Sequence, residues 1–165
     1  MNYSELKYFS IPYNEMSEYY KADLYNLLNN SFNLPSYELH SFTIVNGFIK
    51  NNEIIASLSL LNHNNLLNIL KQNQNDELNG YSKKGDGGLF VYNIAVRQEF
   101  KRNKLAEVLL NLCIRENLDK KYLHCQVLKS NEPSFNLFFK CGFKIEEEMN
   151  NEDNEIVCVM SRNIQ

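Results

Sequence analysis

Apolar residues recur along this chain with two different periods. Over 104–113, Leu105, Val108, Leu109, Leu112 and Cys113 fall three and four positions apart, on one face of a helix beginning near Lys104. Met16, Tyr20, Leu24, Leu27 and Leu28 repeat that spacing and predict a helix over 14–30. Elsewhere β-branched and aromatic residues gather in short runs. ELKYFSI (5–11), SFTIVNGFIK (41–50), EIIASLSLL (53–61), LFVYNIAV (89–96), KYLHCQVL (121–128), FKIEEEM (143–149) and EIVCVMS (155–161) predict seven strands. Asn51-Asn52 suits a tight hairpin turn, because asparagine tolerates positive φ. LFVYNIAV is apolar on both faces except at Asn93, the pattern of a strand in the middle of a covered sheet. Pro35 breaks the chain before a short YELH segment. A short helix after 128 has Pro133 in its first turn and Gly142 at its C-terminal cap. The order β-α-β-β-β-α-β-α-β-β predicts a mixed α/β fold with helices packed on a central sheet.

The tract 62–88, NHNNLLNILKQNQNDELNGYSKKGDGG, has neither period. It predicts a polar insertion whose LLNIL core forms one or two helical turns, either a mobile loop or a lid beside a binding site. At 165 residues, the chain is expected to be a single domain spanning 1–165. A 44% hydrophobic and 22% charged composition excludes global disorder. The net charge of −3 argues against a general nucleic-acid binder. Cys113, Cys125, Cys141 and Cys158 are too widely spaced for a zinc site or a redox dithiol, so no metal is expected. MNYSELKYFS lacks the basic and apolar regions of a signal peptide, and IIASLSLL is too short to cross a bilayer. Together these place the protein in the cytoplasm, away from membranes.

One feature works against local stability. RQEFKRNKLAEVLL, 97–110, puts four basic residues between a buried strand and the start of a helix. The first N–H groups of a helix lack internal partners and its dipole is positive there, so acids stabilise this end and lysine or arginine does not. The arrangement is favourable when an anion visits, and a diphosphate is the natural guest.

NIAV followed by RQEFKRNKLAEVLL, then NEPSFNLFFKCGF downstream, resembles the GNAT acyl-CoA-dependent N-acetyltransferases over about residues 40–162. The resemblance implies a mostly antiparallel, twisted central sheet with helices on both faces. It also implies acetyl-CoA as co-substrate, its pyrophosphate held by backbone amides of a [Q/R]-x-x-G-x-[G/A] turn. Here that window reads Lys101, Arg102, Asn103, Lys104, Leu105, Ala106, with Lys104 in place of glycine. Asn131, with Ser134, Phe135, Phe138 and Gly142-Phe143, matches the family's second signature. In similar proteins that asparagine bonds the pantetheine arm and the aromatics wall the groove. Helix capping is a rival role for Asn131, and core packing is one for the phenylalanines.

The implied chemistry is direct attack of an amine on the thioester, with the carbonyl polarised by a backbone N–H near Ile94, Ala95 and Val96. The family's leaving-group acid is a tyrosine where this chain has Phe138, and its base a glutamate where this chain has Gln126. Neither residue can transfer a proton, which leaves Tyr92 and His124 as the catalytic candidates, with Tyr81 and Glu99 behind them. Tyr37, Glu38, His40 and Tyr81 are expected at the acceptor, a small-molecule or peptide amine. The expected assembly is a monomer or homodimer. The runner-up is a degenerate member of the fold that binds acyl-CoA or another small ligand without turnover.

Overall fold

The computed structural model describes residues 1–73 and 87–164. The seven strands are β1 (Lys7–Pro12), β2 (Ile44–Lys50), β3 (Glu53–Leu61), β4 (Gly88–Val96), β5 (Tyr122–Leu128), β6 (Lys144–Asn150) and β7 (Ile156–Asn163). They form one sheet in the order β1-β2-β3-β4-β5-β7-β6. Every adjacent pair is antiparallel except β4 and β5. The predicted asparagine hairpin is present: Asn51 and Asn52 have φ of 51° and 62° between β2 and β3.

Helices cover both faces, as expected. On one face, Leu24, Leu27 and Leu28 of α1 (Glu18–Phe32) pack with Leu66 and Ile69 of α2 (His63–Asn73) over Val45, Ile54 and Phe90. On the other, Leu105, Leu109 and Cys113 of α3 (Leu105–Glu116) and Phe138 of α4 (Glu132–Lys140) cover Leu58, Leu89 and Leu123. Each face therefore closes its own apolar layer against the shared sheet.

Two elements differ from expectation. The first helix begins at Glu18 rather than 14, because the Ser17 hydroxyl accepts the Tyr20 N–H and caps it. Tyr13–Glu15 is instead a 3-10 turn, and Met16 is buried without being helical. The second difference is larger. LLNIL belongs to an eleven-residue helix whose start is capped by Asn62, its Oδ1 accepting the Asn65 N–H at 2.8 Å. Leu66 and Ile69 are 1% and 0% exposed, so one face of this helix packs into the core. Residues 74–86 of the expected insertion lie outside the described residues.

Candidate active site

The site begins where two strands stop pairing. β4 and β5 are bonded only at Gly88–Tyr122, Leu89–Leu123 and Phe90–His124. Beyond Phe90 the edge of β4 has no ladder partner on that side among the described residues, so its backbone N–H and C=O groups are left to the opening. A bulge lies at the same point: Ser59 opposes Asn93 while Leu60 opposes Val91, leaving Tyr92 as the extra residue. Bulges bend a strand and re-aim its side chains. The opening continues into a groove of about 1310 Å³ bounded by β4, the end of β5, α4 and the turn that starts α3.

That turn keeps the backbone shape that its sequence made doubtful. Arg102 and Lys104 have φ of 68° and 57°, and Lys104 is the residue immediately before α3. Lys104 thus stands in the left-handed conformation that glycine adopts without strain, at a cost of about 1–2 kcal/mol for a side-chain-bearing residue. The first intrahelical bond runs from the Val108 N–H to the Lys104 carbonyl, so the N–H groups of Leu105, Ala106 and Glu107 are not used by the helix. All three residues line the groove. So do Lys101, Arg102 and Lys104, each exposed and without an ion pair among the described residues.

The remaining residues of the turn brace it. Asn103 does not line the groove. Its amide donates to the carbonyls of Phe100 and Lys101, and its own carbonyl accepts the Tyr3 hydroxyl at 2.6 Å. Arg97 lines the groove, yet its guanidinium is committed to Asp23 of α1 and to the Ile54 carbonyl.

Ile94, Ala95, Val96, Asn131 and Phe138 also line the groove. Asn131 stands at the N-terminus of α4 but its side chain makes no capping bond. Phe135 is not on the groove wall; it stacks on Phe139 with ring centroids 6.3 Å apart and planes at 11°. Phe138 is buried at the wall, edge-on to Phe143.

Tyr92 and Glu38, expected in different roles, meet. The Tyr92 hydroxyl donates to Glu38 Oε2 at 2.6 Å, and Glu38 is only 5% exposed. Tyr92 lines both the groove and a smaller cavity of about 250 Å³, with Gln126, Val127 and Leu128 also shared between the two. His124 is elsewhere: 4% exposed, wedged between the rings of Phe90 and Tyr122, and on the wall of neither cavity. Glu99 lies exposed on the groove rim. His40 packs edge-on against Tyr13, Tyr37 lies in the same 3-10 turn as Glu38, and Tyr81 is outside the described residues.

Sequence reasoning missed the C-terminal end of α1, where Asn30, Ser31, Phe32 and Leu34 form the far wall of the groove. It also passed over Asn93 as a site residue. Asn93 lines the groove, and its side-chain polar atoms are buried without a hydrogen-bond partner. Its isolation in an apolar strand was the available signal. Among the described residues, no group of three His, Cys, Asp or Glu side chains could hold a metal ion.

Residues 6–143 match the model of the acetyltransferase (GNAT) family. The chain belongs to that family. No curated protein is detectably similar to it in sequence. Its fold is shared with solved GNAT-type structures at low identity. The NatC complex bound to Gag peptide and CoA aligns with a TM-score of 0.73 at 13% identity, over 98% of this chain and 99% of that one. A GNAT-family acetyltransferase from Streptococcus pneumoniae gives 0.68 at 17%, over 98% and 100%. Arabidopsis thaliana NAA60 in complex with acetyl-CoA gives 0.68 at 11%, over 95% and 99%. At such identities the likeness is one of fold. Within the GNAT frame, this member carries phenylalanine and glutamine at the positions expected to supply acid and base. The Tyr92–Glu38 pair joins the central strand to the 3-10 turn of Ser36–Ser41, and Tyr92 shares the groove wall with both positions.

Proposed function

We propose that this protein is an acetyl-CoA-dependent N-acetyltransferase that transfers the acetyl group to an amine by direct attack on the thioester. The observation that carries the reading is the continuity of the groove. It runs from an unsatisfied helix N-terminus flanked by three cations to the point where β4 loses its partner. Acetyl-CoA fits both ends. Its diphosphate suits the N–H groups of Leu105 and Ala106 beside Lys101, Arg102 and Lys104. Its amide-bearing arm suits Asn131, whose side chain is not used as a cap, and the open edge of β4 at Ile94, Ala95 and Val96. The structures of NAA60 with acetyl-CoA and NatC with CoA support the same donor.

Bound there, acetyl-CoA supplies an activated carbonyl and a good leaving thiolate. The residues of this chain orient it, and an N–H of β4 near Ala95 polarises the carbonyl. Tyr92, which lines both cavities, is better placed than His124 to receive the amine proton. The acceptor approaches between the end of α1 and the smaller cavity. We assign the protein to the cytoplasm, where its four free, buried cysteines stay reduced. No helix among the described residues is long and apolar enough to cross a membrane.

The test is thermal unfolding with and without acetyl-CoA, using adenosine as a control without the diphosphate, followed by thiol release with a panel of amines. Ligand at about a hundred times its Kd adds roughly 2.7 kcal/mol, a shift of several degrees. A shift without thiol release would instead support a binding protein, the reading that Phe138 in place of tyrosine favours.

A further inference from the structure

The two groups expected to move protons are replaced by residues that cannot, yet the amine must lose a proton before its nitrogen can attack. We propose that Glu38 is the proton sink of this site and that it acts through the hydroxyl of Tyr92. The inference rests on the acetyltransferase reading above.

Three observations converge on it. Tyr92 is the bulged residue of β4, at the point where the strand leaves β5, so its ring is re-aimed at the opening. It lines both the cofactor groove and the smaller cavity, whose junction is the place for an amine beside the open edge of β4. Its hydroxyl donates to Glu38 at 2.6 Å, and Glu38 lies behind it, buried, on neither cavity wall. A phenol that gives its proton to a carboxylate keeps its own lone pairs for a donor on the other side. The ring is held between aromatic neighbours, with Phe42 edge-on at 5.9 Å and Phe90 tilted at 6.1 Å. The turn carrying Glu38 is anchored by Leu39, which is 1% exposed.

The step balances without a further reagent. An ammonium N–H gives its proton to Tyr92 Oη as the Tyr92 proton passes to a Glu38 oxygen, so tyrosine stays neutral and the carboxylate becomes a carboxylic acid. The amine nitrogen then forms the C–N bond and the C–S bond breaks. The departing thiolate takes the second nitrogen-borne proton, and after the product leaves Glu38 returns its proton through the Tyr92 hydroxyl to water in the groove. Tyr92 is the catalytic residue in this scheme, and Glu38 is a positioning residue that acts through it.

The experiment compares two acceptors of like shape, ethylamine and trifluoroethylamine. Ethylamine is protonated at neutral pH; the fluorines of the other withdraw charge and leave it a free base. Glu38→Gln keeps an oxygen for the Tyr92 hydroxyl but cannot take its proton, so acetyl-CoA should still raise the melting temperature as in the unaltered protein. Turnover of ethylamine should fall by about a hundredfold, and that of trifluoroethylamine by less than about threefold. Tyr92→Phe should reproduce this selectivity, and the double variant should be no worse than either single one, as for residues acting as a unit. Equal losses on both amines, or no loss on either, would overturn the relay. So would failure of the unaltered protein to acetylate either amine while acetyl-CoA still shifts its melting. Absence of that shift sinks the donor assignment itself, and the relay with it.

Discussion

Arg97, the first basic residue after β4, closes on Asp23 of α1 rather than pointing at the groove. Its Nη2 lies against Asp23 Oδ1 and its Nε donates to the Ile54 carbonyl at 2.7 Å, while Asp23 Oδ2 accepts the Ile54 N–H at 2.6 Å. Three elements, α1, β3 and the end of β4, are tied at one point beside the basic turn. Both side chains are mostly buried, at 20% and 15% exposure. Arg97→Ala leaves Asp23 without that charge partner and should cost about 2–3 kcal/mol, a fall in melting temperature of roughly 5–10 °C. Urea or thermal unfolding checks it, and a loss under about 0.5 kcal/mol would mean that the pair behaves as an exposed one.

Lys101 and Arg102 are different, since among the described residues neither side chain forms an ion pair. Reversing both to glutamate should weaken acetyl-CoA binding by at least about tenfold at low salt, with the effect shrinking as salt rises. The melting temperature without ligand should move by no more than about 2 °C. Calorimetric titration at two ionic strengths gives the answer; unchanged affinity would reduce the turn to a solvated surface.

Lys104 separates conformation from charge. At φ of 57°, Lys104→Gly relieves the left-handed strain, less the extra entropy that glycine brings to the unfolded chain. The net expectation is a gain of about 0.5–1 kcal/mol in stability. Lys104→Ala removes the same charge but keeps the strain, so it should gain only the few tenths of a kcal/mol, about 0.3, that come from taking a cation off a helix N-terminus, and less than glycine does. Equal unfolding midpoints for the two variants would show that strain at 104 is not felt.

Gly88 opens β4 opposite Tyr122, and an added Cβ would overlap both the Tyr122 ring and its carbonyl oxygen. Backbone cannot give way as a flexible side chain can. Gly88→Ala should therefore destabilise by about 2 kcal/mol or more and loosen one of only three pairings that hold β4 to β5 below the opening. Hydrogen exchange at residues 88–90 and 122–124 should quicken; unaltered exchange would mean that the pairing tolerates the side chain.

Alkaline pH should weaken the fold through its thiols. Burial pushes Cys113 up to about 12, with Glu116 adding to it, and burial holds Cys125 well above the ordinary thiol value of 9.0. Tyr8, half-buried and bonded to Glu116, is raised in the same sense. These groups stay protonated when folded and ionise more readily when unfolded. Their contribution is complete below about pH 9 and is lost as pH climbs toward 12. Urea midpoints should fall steadily between about pH 8.5 and about pH 10.5, and a flat profile would contradict the burial of these thiols.

Much of the fold was legible because local rules and tertiary packing agreed. The Asn51-Asn52 hairpin, the seven strands and the apolar face of α3 follow from period and turn chemistry, and each is present in the structure. The basic turn before α3 stood out too, because cations at a helix N-terminus are locally unfavourable, and in the structure it lines the groove. Where asparagine acted as a cap rather than as loop filler, at Asn62, the helix it starts was read short. Phe135 and Phe138 share a sequence motif and lie one turn apart on α4, but only Phe138 reaches the groove wall, while Phe135 packs half-buried against the core and stacks on Phe139.

By itself, the sequence determined which residues lie in the sheet, where the turns fall and which helix begins behind a basic turn, since these depend on periods of two and 3.6 residues and on local backbone preference. Only the tertiary structure decided that β4 parts from β5 after three pairs, that Arg97 belongs to Asp23, and that Glu38 lies behind Tyr92, 54 residues away. Those relations depend on strand register and on a bulge. They join residues whose separation along the chain carries no local signal, so packing alone brings them together.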